Sequence, residues 1–274
     1  MAGHPMSIDL QTDLARSSAG TFGDCWACQR RHSLPDGNAR AHALEMMREF
    51  EAISRLDYLA SDLDVDPRLC FANLFGEGRG NMFGVLECED RDGQTVILRA
   101  FSSLWDGIRQ IEGWVQPVLS AEVYDEMILP AQQEIKAMTK EANVLDVESA
   151  AHAEILARRK NISQVLWKKM CASYRFRNFR GEERSLAGTV LPGTPITGGM
   201  GECCAPKLLN HAARHGLRPL GMAEFYWGSD SEGGQRVPGE FYASCEARCR
   251  PILGFMLCGL EDLLNDGAWP ADDL

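Results

Sequence analysis

The chain has 274 residues, of which 45% are hydrophobic and 24% charged, so it can bury a full core and is too apolar to be disordered throughout. Its 28 basic and 39 acidic side chains give a net charge of −11, which excludes a protein that grips nucleic acid through a generally basic surface. A role on nucleic acid is therefore limited to a local patch or to a pocket for one base. The basic residues between Arg158 and Arg180 are the candidate patch, although the solvated face of a helix is the simpler explanation.

Signals for secretion and for membrane insertion indicate the cellular compartment of a protein. The first residues contain no apolar run typical of a signal peptide, and no stretch approaches the roughly 20 apolar residues of a membrane helix. We therefore expect a cytoplasmic protein with no membrane partner. Its ten cysteines are then better explained as metal ligands or buried thiols than as disulfides.

Residues 1–36 are polar and punctuated by Gly, Ser and Pro, which predicts an extended polar arm. The arm carries Cys25, Cys28 and His32, a C-x2-C-x3-H pattern that suits a small structural zinc site once a fourth ligand is found. His42 is within reach, but no partner stands next to the motif. Free thiols explain the same residues, and a thiol-redox role would need a depressed thiol pKa.

Residues 37–274 predict a single α/β domain. Apolar residues recur at helical spacing from Asn38 to about Asp62, which indicates one amphipathic helix. Two β-type runs, residues 81–88 and 95–101, flank an Asp-Gly turn signal and predict a β-hairpin. A mixed loop follows, and the stretch from 131 to 177 lacks Gly and Pro, which predicts a long helix or a helical hairpin with a break near 143–146.

That helical stretch lies within an insertion at about 120–185, which is followed by a Gly/Pro/Thr-rich loop at 188–201. Residues 205–215 predict a helix that ends at a glycine, and residues 217–227 predict a strand. A last helix is expected from Pro251 to about Leu264, because proline is tolerated in a first helical turn. The order is thus hairpin, helix, strand, helix.

Three cysteines precede the last two predicted helices. Cys203 stands before the first helix, and Cys245 and Cys249 stand before the second. Helix N-termini carry partial positive charge and free N–H donors, which favour thiolate over thiol. The three residues therefore predict a zinc site with a fourth position left for water. Cys204 is the alternative to Cys203 as a ligand. The simpler explanation is that all of these cysteines are buried as apolar residues and bind no metal.

This plan resembles the zinc-dependent nucleobase deaminases, in which a Cys or His at one helix start and two Cys at a second hold the metal, and a Glu transfers protons. Two departures stand out. Ala205 occupies the position of that family's catalytic Glu, two residues after Cys203, and the second motif is C-x3-C instead of PC-x2-C. Glu202 and Glu224 are the available replacements, although a helix-cap carboxylate and a solvent-facing strand residue explain them equally well.

Three segments carry a second resemblance: GNMFGVLECEDRDGQTVILRAFSS, GECCAPKLLNHAARHGLRPLGMAEFYWG and FYASCEARCRPILGFML. They resemble the N-terminal extension found in a subset of bacterial RluA-type pseudouridine synthases. The synthase's HRLD-type catalytic motif does not occur in this chain. The resemblance therefore implies an accessory domain linked to RNA modification and no pseudouridine synthase activity. The matching positions are Glu202, Cys203, Pro206, Lys207, Glu224, Trp227, Cys245, Cys249 and Pro251.

Two functions follow as expectations, both on a cytidine-deaminase-like fold with a sheet, flanking helices and a long inserted helical segment. The first is a zinc-dependent, deaminase-like protein that acts on a nucleobase, free or in RNA. The residues expected to contact its substrate are Lys207, Phe225 and Trp227, with an aromatic ring stacking on the base. The alternative is a non-catalytic accessory domain that is stabilised by a closed zinc site and binds RNA or a partner RNA-modifying enzyme.

Overall fold

The computed structural model describes residues 20–61, 64–76, 80–231 and 234–266. In this part of the chain the fold is mixed α/β, with small antiparallel sheets. The strands are β1 (Thr21–Cys25), β2 (Arg30–Leu34), β3 (Gly80–Glu89), β4 (Thr95–Phe101), β5 (Phe176–Arg177), β6 (Glu183–Arg184) and β7 (Arg218–Gly228).

The helices lie between and after these strands. They are α1 (Ala39–Ile53), α2 (Leu129–Ala142), α3 (Ala150–Ser173), α4 (Leu186–Thr189), α5 (Cys204–Arg214), α6 (Arg250–Met256) and α7 (Leu260–Asp266). Shorter helical segments occur at Pro67–Leu69, Phe71–Phe75, Ala121–Val123 and Tyr124–Ile128. Across the described ranges, every helix is either too short or too polar to pass through a lipid bilayer.

The central sheet has three antiparallel strands in the order β4-β3-β7. Phe83 pairs with both Phe101 and Phe225, so the three rings lie on one face, because side chains of paired residues share a face. Helix α1 packs on this face, where the ring of Phe50 lies 4.8 Å from that of Phe83. Met82 and its neighbours of the same parity face the other side and pack against α5 and α6.

Helix α5 lies directly on the sheet at Gly84. A Cβ atom at this position would come within 2.7 Å of the Cβ of Cys204. The buried Lys207 fixes the same helix to the end of β4, because its Nζ donates to the carbonyl oxygens of Phe101 and Ser103 at 2.9 and 2.6 Å. These contacts determine where the first turn of α5 lies, and therefore where Cys203 lies.

The predicted extended arm is wrong for residues 21–34, which form the antiparallel β1–β2 hairpin. Cys25, His32 and Leu34 are 2%, 3% and 1% exposed, while Arg31 and Ser33 on either side of His32 face solvent. Alternation of polar and buried positions is the pattern of a half-buried strand. The polar residues that suggested an arm therefore lie on the exposed face of a packed hairpin. Residues 1–19 of the predicted arm lie outside the described residues.

The other predicted elements are confirmed with shifted ends. Helix α1 stops at Ile53, well before residue 62, because Ser54 adopts a left-handed conformation with φ of 55°. The long helical stretch is a hairpin of α2 and α3, with the break near the predicted residues 143–146. The last predicted helix is two helices, α6 and α7, interrupted at Gly259, whose φ is 92°.

The close approach at Gly84 predicts that Gly84→Ala lowers the free energy of unfolding by about 1–3 kcal/mol, since the added methyl group must displace α5 from the sheet. Denaturant unfolding measures the change. Gly198→Ala is the matched control, because a Cβ there meets nothing within 4 Å. Equal stability of the two variants would contradict the packing described.

Candidate functional site

The structure brings the three predicted zinc ligands together. Cys203 is the N-cap residue of α5 and Cys249 is the N-cap residue of α6. Their Sγ atoms and that of Cys245 all lie within 4.8 Å of one another, and those of Cys245 and Cys249 are 3.3 Å apart. We call this set the three-thiol group.

The C-x3-C spacing suits this arrangement because residues 245–249 form one helical turn. The backbone N–H groups of Cys249 and Arg250 both donate to the carbonyl oxygen of Cys245 at 3.1 Å. Residues four apart in a helical turn lie on the same side. Two thiols on one turn can therefore contact one ion, and the packing of α5 against α6 supplies the third thiol.

Cys204, the alternative ligand, is not part of the three-thiol group. It is fully buried, and its Sγ donates to the carbonyl oxygen of Met82 at 3.3 Å. Within the described residues the group therefore has three side-chain ligands. Three protein ligands leave a position open, which is the pattern of catalytic zinc sites, whereas structural sites have four.

The three-thiol group opens onto a cavity of about 310 Å3. Glu224 lines the same cavity, as do Arg236 and Arg248. The remaining lining residues are Met82, Ala243 and Ala247. A set of thiols, one carboxyl group and two guanidinium groups thus faces a common space large enough for a small ligand.

Glu224 is held firmly beside the thiols. It projects from β7, is 6% exposed, and its Oε2 accepts a hydrogen bond of 2.9 Å from the hydroxyl of Ser244. Burial raises the pKa of the Glu224 carboxyl to about 7, and the hydrogen bonds from Ser244 and from the backbone N–H of Ala205 oppose that rise. The group can therefore both accept and release a proton near neutral pH.

The thiols share one negative charge in the absence of a cation. Hydrogen bonds from Cys203 and Cys249 lower the pKa of Cys245 well below its usual range. The hydrogen bond with Cys245 raises the pKa of Cys203, and hydrogen bonds with Cys203 and Cys245 raise that of Cys249. A divalent cation in the group would take the place of the protons, as happens whenever a metal binds cysteines.

The structure places the other predicted residues away from the cavity. The carboxylate of Glu202 accepts a hydrogen bond from the hydroxyl of Tyr174, and Lys207 binds the end of β4. Phe225 and Trp227 pack against Phe50 on the α1 face. Since strand residues alternate between faces, Glu224 on the α5 side requires Phe225 and Trp227 to be on the opposite side.

The geometry therefore singles out Glu224 over Glu202, and neither aromatic ring can stack on a ligand at the thiols. Ser244, Arg236 and Arg248 were not predicted from the sequence. Ser244 and Arg248 stand beside the ligand cysteines, so proximity to the C-x3-C turn was a signal for both. Arg236 lies in the loop that leads into this turn, nine residues before Cys245, and nothing in the pattern marked it.

The cysteines and histidine of the β1–β2 hairpin form a second group. Cys25, Cys28 and His32 are joined by Cys258, and all four ligand atoms lie within 4.8 Å of one another. The Sγ of Cys28 is 3.0 Å from Nε2 of His32 and 3.8 Å from the Sγ of Cys258. Cys258 follows α6 and lies 230 residues after Cys28, so no local spacing could have revealed it.

The basic patch considered from the sequence is partly neutralised. Arg158 pairs with Glu134 at 3.0 Å, and Arg180 pairs with Asp262 at 3.2 Å. Exposed ion pairs of this kind favour the interpretation of these residues as a solvated surface.

No protein-family model, no curated protein and no solved structure matches this chain. The two resemblances stated from the sequence therefore rest on their motifs.

The lowered pKa of Cys245 predicts that its alkylation in metal-free protein changes little between about pH 6 and 8, because the thiolate is the reacting form. Cys171, whose pKa is raised by burial, should instead react roughly tenfold faster per pH unit. Mass spectrometry of iodoacetamide-labelled peptides measures both rates in one sample. Parallel increases at the two residues would show that the three thiols do not share a charge as described.

Proposed function

We propose that this protein is a zinc-dependent, deaminase-like hydrolase that acts on a nucleobase, with Cys203, Cys245 and Cys249 as the metal ligands and Glu224 as the proton carrier. The observation that carries the proposal is the common cavity: three thiols within 4.8 Å of one another and a buried carboxyl group face the same space. The three-ligand set supports an open site.

The donor set fits zinc, because cysteine thiolates are characteristic zinc ligands at both structural and catalytic sites. Bound there, zinc supplies Lewis-acid activation of water. In a hydrolytic deamination, water adds to the ring carbon that bears the amino group, and its two protons pass to the adjacent ring nitrogen and to the amino group. The C–N bond breaks, the carbon becomes a carbonyl, and ammonia leaves. Glu224 takes a proton from the water and delivers it to the leaving amino group. Ser244 holds the carboxyl group in the orientation that both transfers require.

The two arginines at the cavity support a substrate that carries negative charge. Arg236 and Arg248 line the cavity beside the thiols, and guanidinium groups bind phosphate well. A nucleotide or a residue of RNA, with its phosphate at the arginines and its base at the thiols, matches this distribution better than a free base. The net charge of −11 restricts such binding to this local site.

The element order supports a cytidine-deaminase-like fold as part of the proposal. The β3–β4 hairpin is followed by α5 with one ligand, β7 with the carboxyl group, and α6 with the remaining ligands. The resemblance to the extension of RluA-type pseudouridine synthases adds an expected role in bacterial RNA modification in the cytoplasm.

A second candidate is a non-catalytic accessory domain that binds RNA or a partner RNA-modifying enzyme. Ala205 favours it, because a side chain without an acidic group stands where the deaminases carry their catalytic Glu. Under this alternative the three-thiol group still binds zinc but no nucleobase is deaminated.

The proposal predicts that Glu224→Gln lowers ammonia release at least about a hundredfold and leaves the zinc content unchanged, since the amide cannot transfer the proton. Glu202→Gln is the matched control and should retain activity, because Glu202 contacts Tyr174 outside the cavity. The assay uses cytidine, adenosine, their monophosphates and short oligoribonucleotides as substrates.

Ammonia release from none of these substrates by the zinc-loaded wild type would contradict the enzyme and favour the accessory domain. Full activity in the Glu224→Gln variant would contradict the role assigned to this carboxyl group.

A further inference from the structure

We infer that Cys25, Cys28, His32 and Cys258 form a second zinc site, closed and structural, that fastens the β1–β2 hairpin to the end of α6. This site is separate from the three-thiol group and does not depend on the function proposed for it. Its role is to hold the fold, and it takes no substrate.

The separation of two of the thiols fits one tetrahedral ion. Two thiolates bound to zinc at about 2.3 Å lie about 3.8 Å apart in tetrahedral geometry, and the Sγ atoms of Cys28 and Cys258 are 3.8 Å apart. The His32 Nε2 atom is 3.0 Å from the Sγ of Cys28. A disulfide requires about 2.05 Å between sulfurs, so this pair is not bonded.

The ligand count and the burial indicate a closed site. Three cysteines and one histidine complete the four-coordinate set of structural zinc sites. Cys25, His32 and Cys258 are each 3% exposed or less, and Cys28 alone reaches the surface. With all four positions taken by side chains, no position remains for water or substrate.

Close packing of the β1–β2 hairpin against α6 brings these ligands together. A Cβ atom on Gly254, in the middle of α6, would lie 2.2 Å from the carbonyl oxygen of Asp24, and one on Gly23 would lie 2.3 Å from the backbone nitrogen of Gly254. The hairpin and the helix therefore touch through their main chains. Only this close approach lets a ligand just beyond α6 reach ligands in the hairpin.

The group joins parts of the chain that are far apart in sequence. The hairpin supplies three ligands and the segment after α6 supplies the fourth, so the ion closes a loop of more than 200 residues, the separation of Cys28 and Cys258 being 230. Fixing contacts between such distant segments favours the folded chain, because zinc binding at a site absent from the unfolded chain adds to the folding free energy.

Zinc content of the full chain tests the site. Wild type is compared with Cys258→Ser, with Cys249→Ser in the three-thiol group, and with the control Cys171→Ser, which lies outside both groups. We expect Cys258→Ser to lose about one zinc per chain relative to wild type and to unfold at a lower temperature, whereas Cys171→Ser keeps the wild-type content.

The two cysteine variants distinguish the closed site from the metal site of the proposed function. If Cys249→Ser leaves the zinc content unchanged while Cys258→Ser lowers it, the result supports the closed site and contradicts zinc binding by the three-thiol group. If Cys258→Ser binds as much zinc as wild type, the closed site is overturned.

A measurement on wild type covers the case in which the Cys258→Ser variant does not fold. Cys28, Cys70 and Cys171 are all half-buried, so burial alone gives them similar access to an alkylating reagent. We expect Cys28 to be protected in the protein as purified and to react at least about tenfold faster after chelation, with Cys70 and Cys171 unchanged. Equal rates for Cys28 before and after chelation would overturn the inference.

Discussion

Helix α6 is the element on which both candidate metal groups depend. It begins at Cys249 of the three-thiol group and is followed by Cys258 of the hairpin group. Its side chains lie in the main core, and its backbone touches β1 at Gly254. A shift of this short helix would move a thiol in each group, so the packing of α6 determines the geometry of both.

The electrostatics of the three-thiol group favour the binding of a cation. Burying several ionised groups together is costly unless an opposite charge compensates them. In the metal-free molecule the thiols keep most of their protons, and burial holds the pKa of Glu224 near 7. A bound divalent cation would allow the thiolates to form and would be the largest local charge acting on the neighbouring carboxyl group. The same cation would therefore set both the ligand state and the proton affinity at the cavity.

Local patterns in the sequence predicted much of this arrangement, and their failures have physical causes. The Asp-Gly hairpin, the helix caps and the cysteines before α5 and α6 were predictable because each depends on neighbouring residues. The β1–β2 hairpin was missed because its apolar face is short and its other face is polar. Glu202 and Glu224 could not be ranked, since the direction of each side chain depends on how α5 and β7 pack. Cys258 could not be assigned because its partners are distant in sequence.

The central claim, an open three-thiol zinc site beside Glu224, is tested most directly on the Cys258→Ser variant, in which the three-thiol group is the remaining candidate among the described residues. Elemental analysis followed by X-ray absorption at the zinc edge gives the number of ions and their ligands. We expect about one zinc per chain, bound by three sulfurs and one light atom. Four sulfurs around the ion, or a variant that binds no zinc while wild type binds one, would contradict it.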